Sequence, residues 1–460
     1  MNQKGIKFKP VLSTTMVIAL SFLITIFIGV LLLMLPISSA NGTSSPFLTA
    51  LFTSTTSVCV TGLVVENTFE YWSTFGHIVI LLLIQIGGLG IITFSTSVMM
   101  IFHQKVSLKD RLLLQDAFNL STMSGLVKFV KRVITGTFLV ESFGAFLYCF
   151  TFIPKFGFGK GLWISVFNAI SAFCNAGIDI IGSSSLSPYV SNINVNLTTM
   201  FLIIMGGLGF IVWFDVAHVL KSIKNRTIHK KHFWNSLTLH TKIVLTMTFF
   251  VIFIGALLIF ALEYTNNETI GNLSFGDKIL GAFFESVTTR TAGFFTFSQK
   301  AMRDSTALIC LILMFIGGSP VGTAGGVKTT TFALVIISAL AAIRGDEHGT
   351  AFNRRLPTKT MRKALAVILV SLLVTFTAII LLMTFSGGNA IDIMFEVVSA
   401  ICTVGLTRDL TFTLNSFGKV IIIIAMYLGR IGPISLALIF SSKSNKYGLA
   451  TFPKEDITVG

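Results

Sequence analysis

Long apolar runs alternate with short ones along this chain, and the alternation occurs four times. Residues 11–35 form an apolar stretch long enough to cross a bilayer, residues 47–58 one too short to do so, and residues 75–102 are long again. A helix rises about 1.5 Å per residue against a hydrocarbon core of about 30 Å, so roughly 20 residues span it while 10–14 dip in and turn back. The same order recurs at 127–152, 162–173 and 196–219, then at 243–262, 278–289 and 307–343, and finally at 363–385, 390–401 and 420–440. The pattern predicts an all-α polytopic membrane protein with eight spanning helices and four re-entrant pore helices. Its units fall at 11–102, 127–219, 243–343 and 363–440, and residues 441–460 form a C-terminal tail.

Each short apolar segment runs into a glycine in a related setting: Val60-Thr61-Gly62-Leu63, Asn175-Ala176-Gly177-Ile178, Thr291-Ala292-Gly293-Phe294 and Thr403-Val404-Gly405-Leu406. The four glycines lie 115, 116 and 112 residues apart. Ten residues before each stands a phenylalanine, Phe52, Phe167, Phe283 and Phe395, and a large apolar residue follows each. A unit of this length is well above the 20–50 residues of a solenoid repeat and reads as a small helical bundle.

Composition supports the bilayer reading and removes others. Apolar residues make up 53% of the chain, charged residues only 12%, and there are 44 phenylalanines. The net charge of +15 could suggest nucleic acid, but 24 of the 34 lysines and arginines gather in five segments, at 4–9, 105–132, 221–242, 344–363 and 443–454. These alternate with loops poorer in basic residues, so the positive-inside rule places them, and both termini, in the cytoplasm. The basic loops also suit anionic lipid. The first apolar run is too long for a cleaved signal peptide and is expected to remain as the first helix.

The returning helices share a glycine mark: Gly87-Gly88-Leu89-Gly90, Gly206-Gly207-Leu208-Gly209, Gly317-Gly318-Ser319-Pro320 and Gly429-Arg430-Ile431-Gly432. In the first two units, close helix packing through small residues accounts for it. In the third, the glycines belong to residues 317–331, which also contain Gly322, Gly325, Gly326 and Lys328. Gly costs about 1 kcal/mol and Pro about 3 kcal/mol in a helix interior, so this stretch predicts a break in the span. Non-helical backbone at membrane depth survives only against protein or water, which makes the stretch a flexible loop in a cavity. Arg430 puts a charge inside the fourth returning helix, where it is expected to face a cavity or a partner.

Four glycine loops on four similar units suggest a pseudo-fourfold ring around one axis. A dehydrated monovalent cation needs oxygens without strong counter-charges, and backbone carbonyls supply them where glycine permits the required angles. The candidate ion ligands are the carbonyls of Val60, Thr61, Gly62, Asn175, Ala176, Gly177, Thr291, Ala292, Gly293, Thr403, Val404 and Gly405. On these loops, the 317–331 run and Gly429-Arg430-Ile431-Gly432-Pro433, the chain resembles the membrane subunit of the Trk/Ktr/HKT superfamily of potassium transporters, closest to the bacterial KtrB type. The resemblance covers nearly the whole chain. It implies four M1-P-M2 units, each a first helix, a pore helix and a returning helix, around a carbonyl selectivity filter that favours potassium over sodium. It also implies a gate at the loop of the third returning helix, with Gly317, Gly318, Gly322, Gly325, Gly326, Lys328 and Arg430 as its residues, and location in the bacterial cell membrane. The implied partners are a second copy, forming a homodimer, and a cytoplasmic nucleotide-binding ring of the RCK type. No cofactor is expected in the chain, and sodium stimulation stays open.

The remaining reactive side chains carry blander expectations. Cys59, Cys174 and Cys402 sit three residues before their glycines, with Arg290 as the fourth, and read as packing residues behind the loops. Arg290 is expected to reach a carboxylate such as Glu285 or Glu396. His229, His232 and His240 read as a solvated loop, and Glu141 and Asp215 as helix-bonding or cavity residues; no nucleophile triad points to an enzyme. The alternative of another class is an ion-coupled secondary symporter of a small solute. Inverted repeats would mark it, whereas these units all run in the same direction.

Overall fold

The computed structural model describes residues 14–101, 108–117, 125–346 and 348–432, and the chain is mostly helical. The first basic segment, Pro433 and the tail at 441–460 lie outside the described residues. Among the described residues, four helices are long and apolar enough to cross a membrane: α1 (Thr14–Leu33), α5 (Leu126–Phe156), α9 (Leu239–Glu263) and α13 (Thr358–Ser386). One face of each is bare. Ile24, Phe27, Ile28 and Leu31 of α1 are exposed, as are Phe249, Phe250, Phe253 and Leu257 of α9. In water such a belt would drive aggregation, whereas against lipid it is the solvent face.

After each long helix comes a shorter one: α2 (Phe47–Cys59), α6 (Phe158–Cys174), α10 (Phe275–Thr288) and α14 (Ala390–Ile401). Buried phenylalanines anchor them, but not all where the spacing predicts. Phe52, Phe167 and Phe395 are fully buried, while Phe283 is half-buried and its neighbour Phe284 takes the buried place. The third unit is thus one residue shorter between this anchor and its glycine. Hydrogen bonds support that register: Ser54 Oγ donates to Ile26 O at 2.6 Å in the first unit and Ser286 Oγ to Ile252 O at 2.7 Å in the third.

The returning segments are not single helices, contrary to the expected spans 75–102, 196–219 and 420–440. α3 (Thr74–Leu89) stops at Gly90 and α4 (Ile91–Ile101) follows. α7 (Ile193–Leu208) stops at Gly209, and α8 (Phe210–Lys224) leaves at 96° to it. α15 (Ser416–Ile431) stops at Gly432. These three glycines share one backbone conformation, φ/ψ of 86/133, 87/138 and 89/141°, which an L side chain rarely adopts. In the third unit α11 (Asp304–Phe315) and α12 (Thr329–Ile343) are separated by an irregular loop, as the glycine and proline content predicts.

The first glycine of three of these marks permits close approach. A Cβ on Gly87, Gly206 or Gly429 would collide with the carbonyl oxygen of Val58, Phe173 or Ile401, each four residues before its loop glycine. On the outer side, Arg408 bridges Asp392 at 2.7 Å and Asp304 at 3.2 Å, joining the third and fourth units. Gly429→Ala is expected to cost about 1–3 kcal/mol by overpacking, read as a lower thermal midpoint of the detergent-solubilised protein. An unchanged midpoint would show that α15 does not press on α14 there.

Candidate functional site

The four loop glycines meet. A Cβ built on Gly62 would stand 2.5 Å from Ala176 O, one on Gly177 2.5 Å from Ala292 O, and one on Gly293 2.6 Å from Val404 O. One on Gly405 would strike Thr61 O. Each glycine therefore faces the carbonyl of the residue before the glycine in the next unit, and the ring closes in chain order. Only glycine fits on two counts, since φ is +100, +65, +82 and +97° at these positions.

The residue two before each glycine is also left-handed: Val60 at φ 56°, Asn175 at 60°, Thr291 at 66° and Thr403 at 52°. For β-branched residues this conformation is strained, and strain of that kind persists only where the surroundings fix it. The fixing groups are hydroxyl residues in the last turns of α2, α6, α10 and α14, or just inside them. Thr56 O receives Thr61 N at 2.8 Å, Ser171 O receives Ala176 N at 2.8 Å, Thr288 O receives Ala292 N at 2.9 Å and Ser399 O receives Val404 N at 2.8 Å. The hydroxyls of the same four residues hold the next step. Thr56 Oγ1 accepts from Gly62 N at 2.9 Å and Ser399 Oγ from Gly405 N at 3.0 Å. Ser171 Oγ accepts from Ile178 N at 3.2 Å, and Thr288 Oγ1 donates to Phe294 O at 2.6 Å. Sequence reading missed them, although a serine or threonine six residues before the glycine in three units, and five before it in the third, was there to find.

All four glycines line one cavity of about 300 Å³, together with Asp179, Asp409, Ser183 and Thr407. Burial pushes the Asp179 carboxyl up to about 6. On the other side lies the loop of the third unit. Thr291 Oγ1 accepts from Gly325 N at 3.0 Å, tying ring to loop. Ser319 N reaches Gly207 O at 2.8 Å, Thr323 N reaches Gly206 O at 3.1 Å and Phe210 N reaches Val321 O at 2.9 Å, so the loop is stitched to the bend of the second unit. Gly317 N and Gly318 N pair with Val327 O and Gly325 O inside the loop, while Gly322 packs against Gly206 and Gly209 and Gly326 against Gly317.

Arg430 lies beside this loop. Its Nη1 donates to Thr323 O at 2.9 Å and its Nη2 to Gly87 O, which links the third-unit loop to the first unit. Lys328 folds back onto the loop, its Nζ donating to Ala324 O at 2.6 Å.

Arg290 departs from expectation. It is buried and donates to Thr248 Oγ1 at 3.4 Å, while Glu285 accepts from Gln299 and Glu396 from Thr407. The ion pair fails because the side chain turns away from both pore-helix carboxylates toward α9. Cys59, Cys174 and Cys402 are buried and unbridged, and the described residues hold no cluster of three or more His, Cys, Asp or Glu suited to a metal. Glu141 accepts from Gln85 at 3.3 Å and Asp215 accepts from Thr238 N at 3.0 Å; His229 and His232 are exposed, whereas His240 is not in the solvated loop but half-buried in the first turn of α9.

The fold is that of a membrane protein with several apolar helices, and the proteins it resembles are cation transporters rather than enzymes. The family described as TrkH, cation transport protein, matches residues 6–448, and the chain belongs to that family. It is 39% identical over 99% of its length to Ktr system potassium uptake protein B of Bacillus subtilis, 98% of which is covered. It is 37% identical to the potassium/sodium uptake protein NtpJ of Enterococcus hirae, with 98% of each chain covered. The crystal structure of the potassium transporter TrkH from Vibrio parahaemolyticus matches with a TM-score of 0.74 over 96% of this chain and 87% of that one, at 15% identity, a likeness of fold.

Ser399→Ala would leave the buried Gly405 amide without its hydroxyl acceptor. The expected cost is about 1–3 kcal/mol, seen as a lower thermal midpoint than for Ser416→Ala at an exposed helix start. Equal midpoints would count against the clamp.

Proposed function

We propose that this chain takes up potassium through a channel-like pore. The observation that carries the reading is the closed ring of Gly62, Gly177, Gly293 and Gly405 around the carbonyls of Thr61, Ala176, Ala292 and Val404, open to one outer cavity. Carbonyl rings replace the hydration shell of a monovalent cation without binding it too tightly to leave. In this reading the four M1-P-M2 units surround one pseudo-fourfold axis, and the carbonyls of Val60, Asn175, Thr291 and Thr403 add a second layer of ligands. Asp179 and Asp409 would draw cations to the outer mouth.

The loop at 317–331 is the gate in this proposal, because its hydrogen bonds run to three other parts of the bundle. Arg430 would hold it in place and add a positive charge beneath the ring. Regulation would come from a cytoplasmic RCK-type nucleotide-binding partner on a homodimer, with both termini cytoplasmic in a bacterial cell membrane. The relative named for potassium and sodium uptake makes sodium stimulation worth assaying. A solute symporter built on inverted repeats would have units of opposite direction, whereas each unit here runs long helix, short helix, loop glycine, returning segment in the same order.

Uptake of K⁺ and Na⁺ by cells lacking their own potassium systems tests the reading. The intact chain is expected to favour K⁺, and Gly62→Ser, which places a side chain against Ala176 O, is expected to bring the two uptakes toward equality. A membrane-inserted protein that moves neither ion even with an RCK-type partner would contradict the proposal.

Arg430→Gln is expected to raise K⁺ flux or free it from regulation, measured as Rb⁺ uptake at equal membrane abundance. Unchanged flux and regulation would remove Arg430 from the gate.

A further inference from the structure

Two buried carboxylates stand behind the ring without a counter-ion. Aligned by the one-residue shift of the third unit, Phe284-Glu285 corresponds to Phe395-Glu396, so the carboxylates occupy one position on their two pore helices. The first and second units carry Thr53 and Asn168 there. Glu285 and Glu396 are both 0% exposed. The guanidinium of Arg290 goes to Thr248, and that of Arg408 to Asp304 and Asp392.

Both carboxylates hold the strand that leaves the ring. Glu396 Oε2 accepts from Thr407 Oγ1 at 2.6 Å, two residues after Gly405, and Oε1 accepts from Thr411 Oγ1. Glu285 Oε2 accepts from Gln299 Nε2 at 3.1 Å. Gln299 and Thr411 each lie six residues after their glycine. Burying a carboxyl is costly, and apolar side chains would fill the same space more cheaply. What an apolar side chain cannot do is hydrogen-bond to the Gln299, Thr407 and Thr411 side chains of the outgoing segments.

The geometry points to Glu285 and Glu396 as positioning residues that set ion selectivity by fixing the outgoing strands of the third and fourth loops. This rests on the reading of the ring as the filter. The two units with carboxylates hold their loops stiffly against a change of ring size, and loosening them admits the smaller, more strongly hydrated sodium.

The test is the K⁺/Na⁺ uptake ratio of the full chain in potassium-uptake-deficient cells, normalised to protein in the membrane, for Glu396→Leu, Glu396→Gln, Thr411→Val and the Leu/Val double variant. Glu396→Leu is expected to lower the ratio by up to about tenfold, the order set by losing one hydrogen bond. Glu396→Gln restores most of it, and Thr411→Val adds nothing further in the Leu background. A Leu variant that loses uptake only in proportion to its abundance, at an unchanged ratio, overturns the inference, as do additive Leu and Val effects. If Glu396→Leu does not reach the membrane, Thr411→Val alone decides, with a lowered ratio expected and an unchanged one overturning. Gly62→Ser in the same assay separates the two readings. Selectivity lost there but kept in Glu396→Leu and Thr411→Val removes the positioning role alone, whereas selectivity kept in Gly62→Ser removes the ring as the filter.

Discussion

Everything in this fold answers to one constraint: bare backbone has to stand at membrane depth with its amides satisfied and its carbonyls left free. An unpaired amide there has no water to turn to. The solution is the same in four places. One hydroxyl residue near the end of each pore helix, Thr56, Ser171, Thr288 or Ser399, gives its carbonyl to the amide just before the loop glycine and its hydroxyl to the backbone just beyond. With the amides occupied from behind, the carbonyls of Thr61, Ala176, Ala292 and Val404 are the groups that approach the neighbouring glycine. The long helices, the buried phenylalanines and the glycine contacts at Gly87, Gly206 and Gly429 hold those pore helices at the distance this requires.

The units are alike but not equal, and the differences fall where motion and regulation would be needed. Three returning helices stop at a single glycine of common geometry, Gly90, Gly209 and Gly432. The third opens into a loop whose polar groups are paired with Gly206, Gly207, Thr291 and Arg430. These are hydrogen bonds, two of them to the side chains of Thr291 and Arg430, rather than packed apolar faces.

Much of the architecture was legible because it is written in residue types with few alternatives. The four glycines stand out since a side chain at φ near +100°, as at Gly62, is both strained and obstructed. Gly317-Gly318-Ser319-Pro320 advertises its break by the cost of those residues in a helix. What could not be read depends on three-dimensional register. A one-residue shift in the third unit moves the buried anchor from Phe283 to Phe284, and both are phenylalanine. The bend at Gly209 hides inside a continuous apolar run, because lipid contact demands the same residues on either side of it. Arg290 was paired with a carboxylate on general grounds of charge, yet its partner is the Thr248 hydroxyl, a choice set by the direction of the side chain.

The central claim is that the four loops make one ion path, and the most direct measurement is anomalous diffraction from crystals soaked in Tl⁺ or Rb⁺. The account predicts a peak on the common axis of Gly62, Gly177, Gly293 and Gly405, within bonding distance of the carbonyls of Thr61, Ala176, Ala292 and Val404. A ring without a peak in crystals that bind the ion elsewhere along the bundle would contradict it.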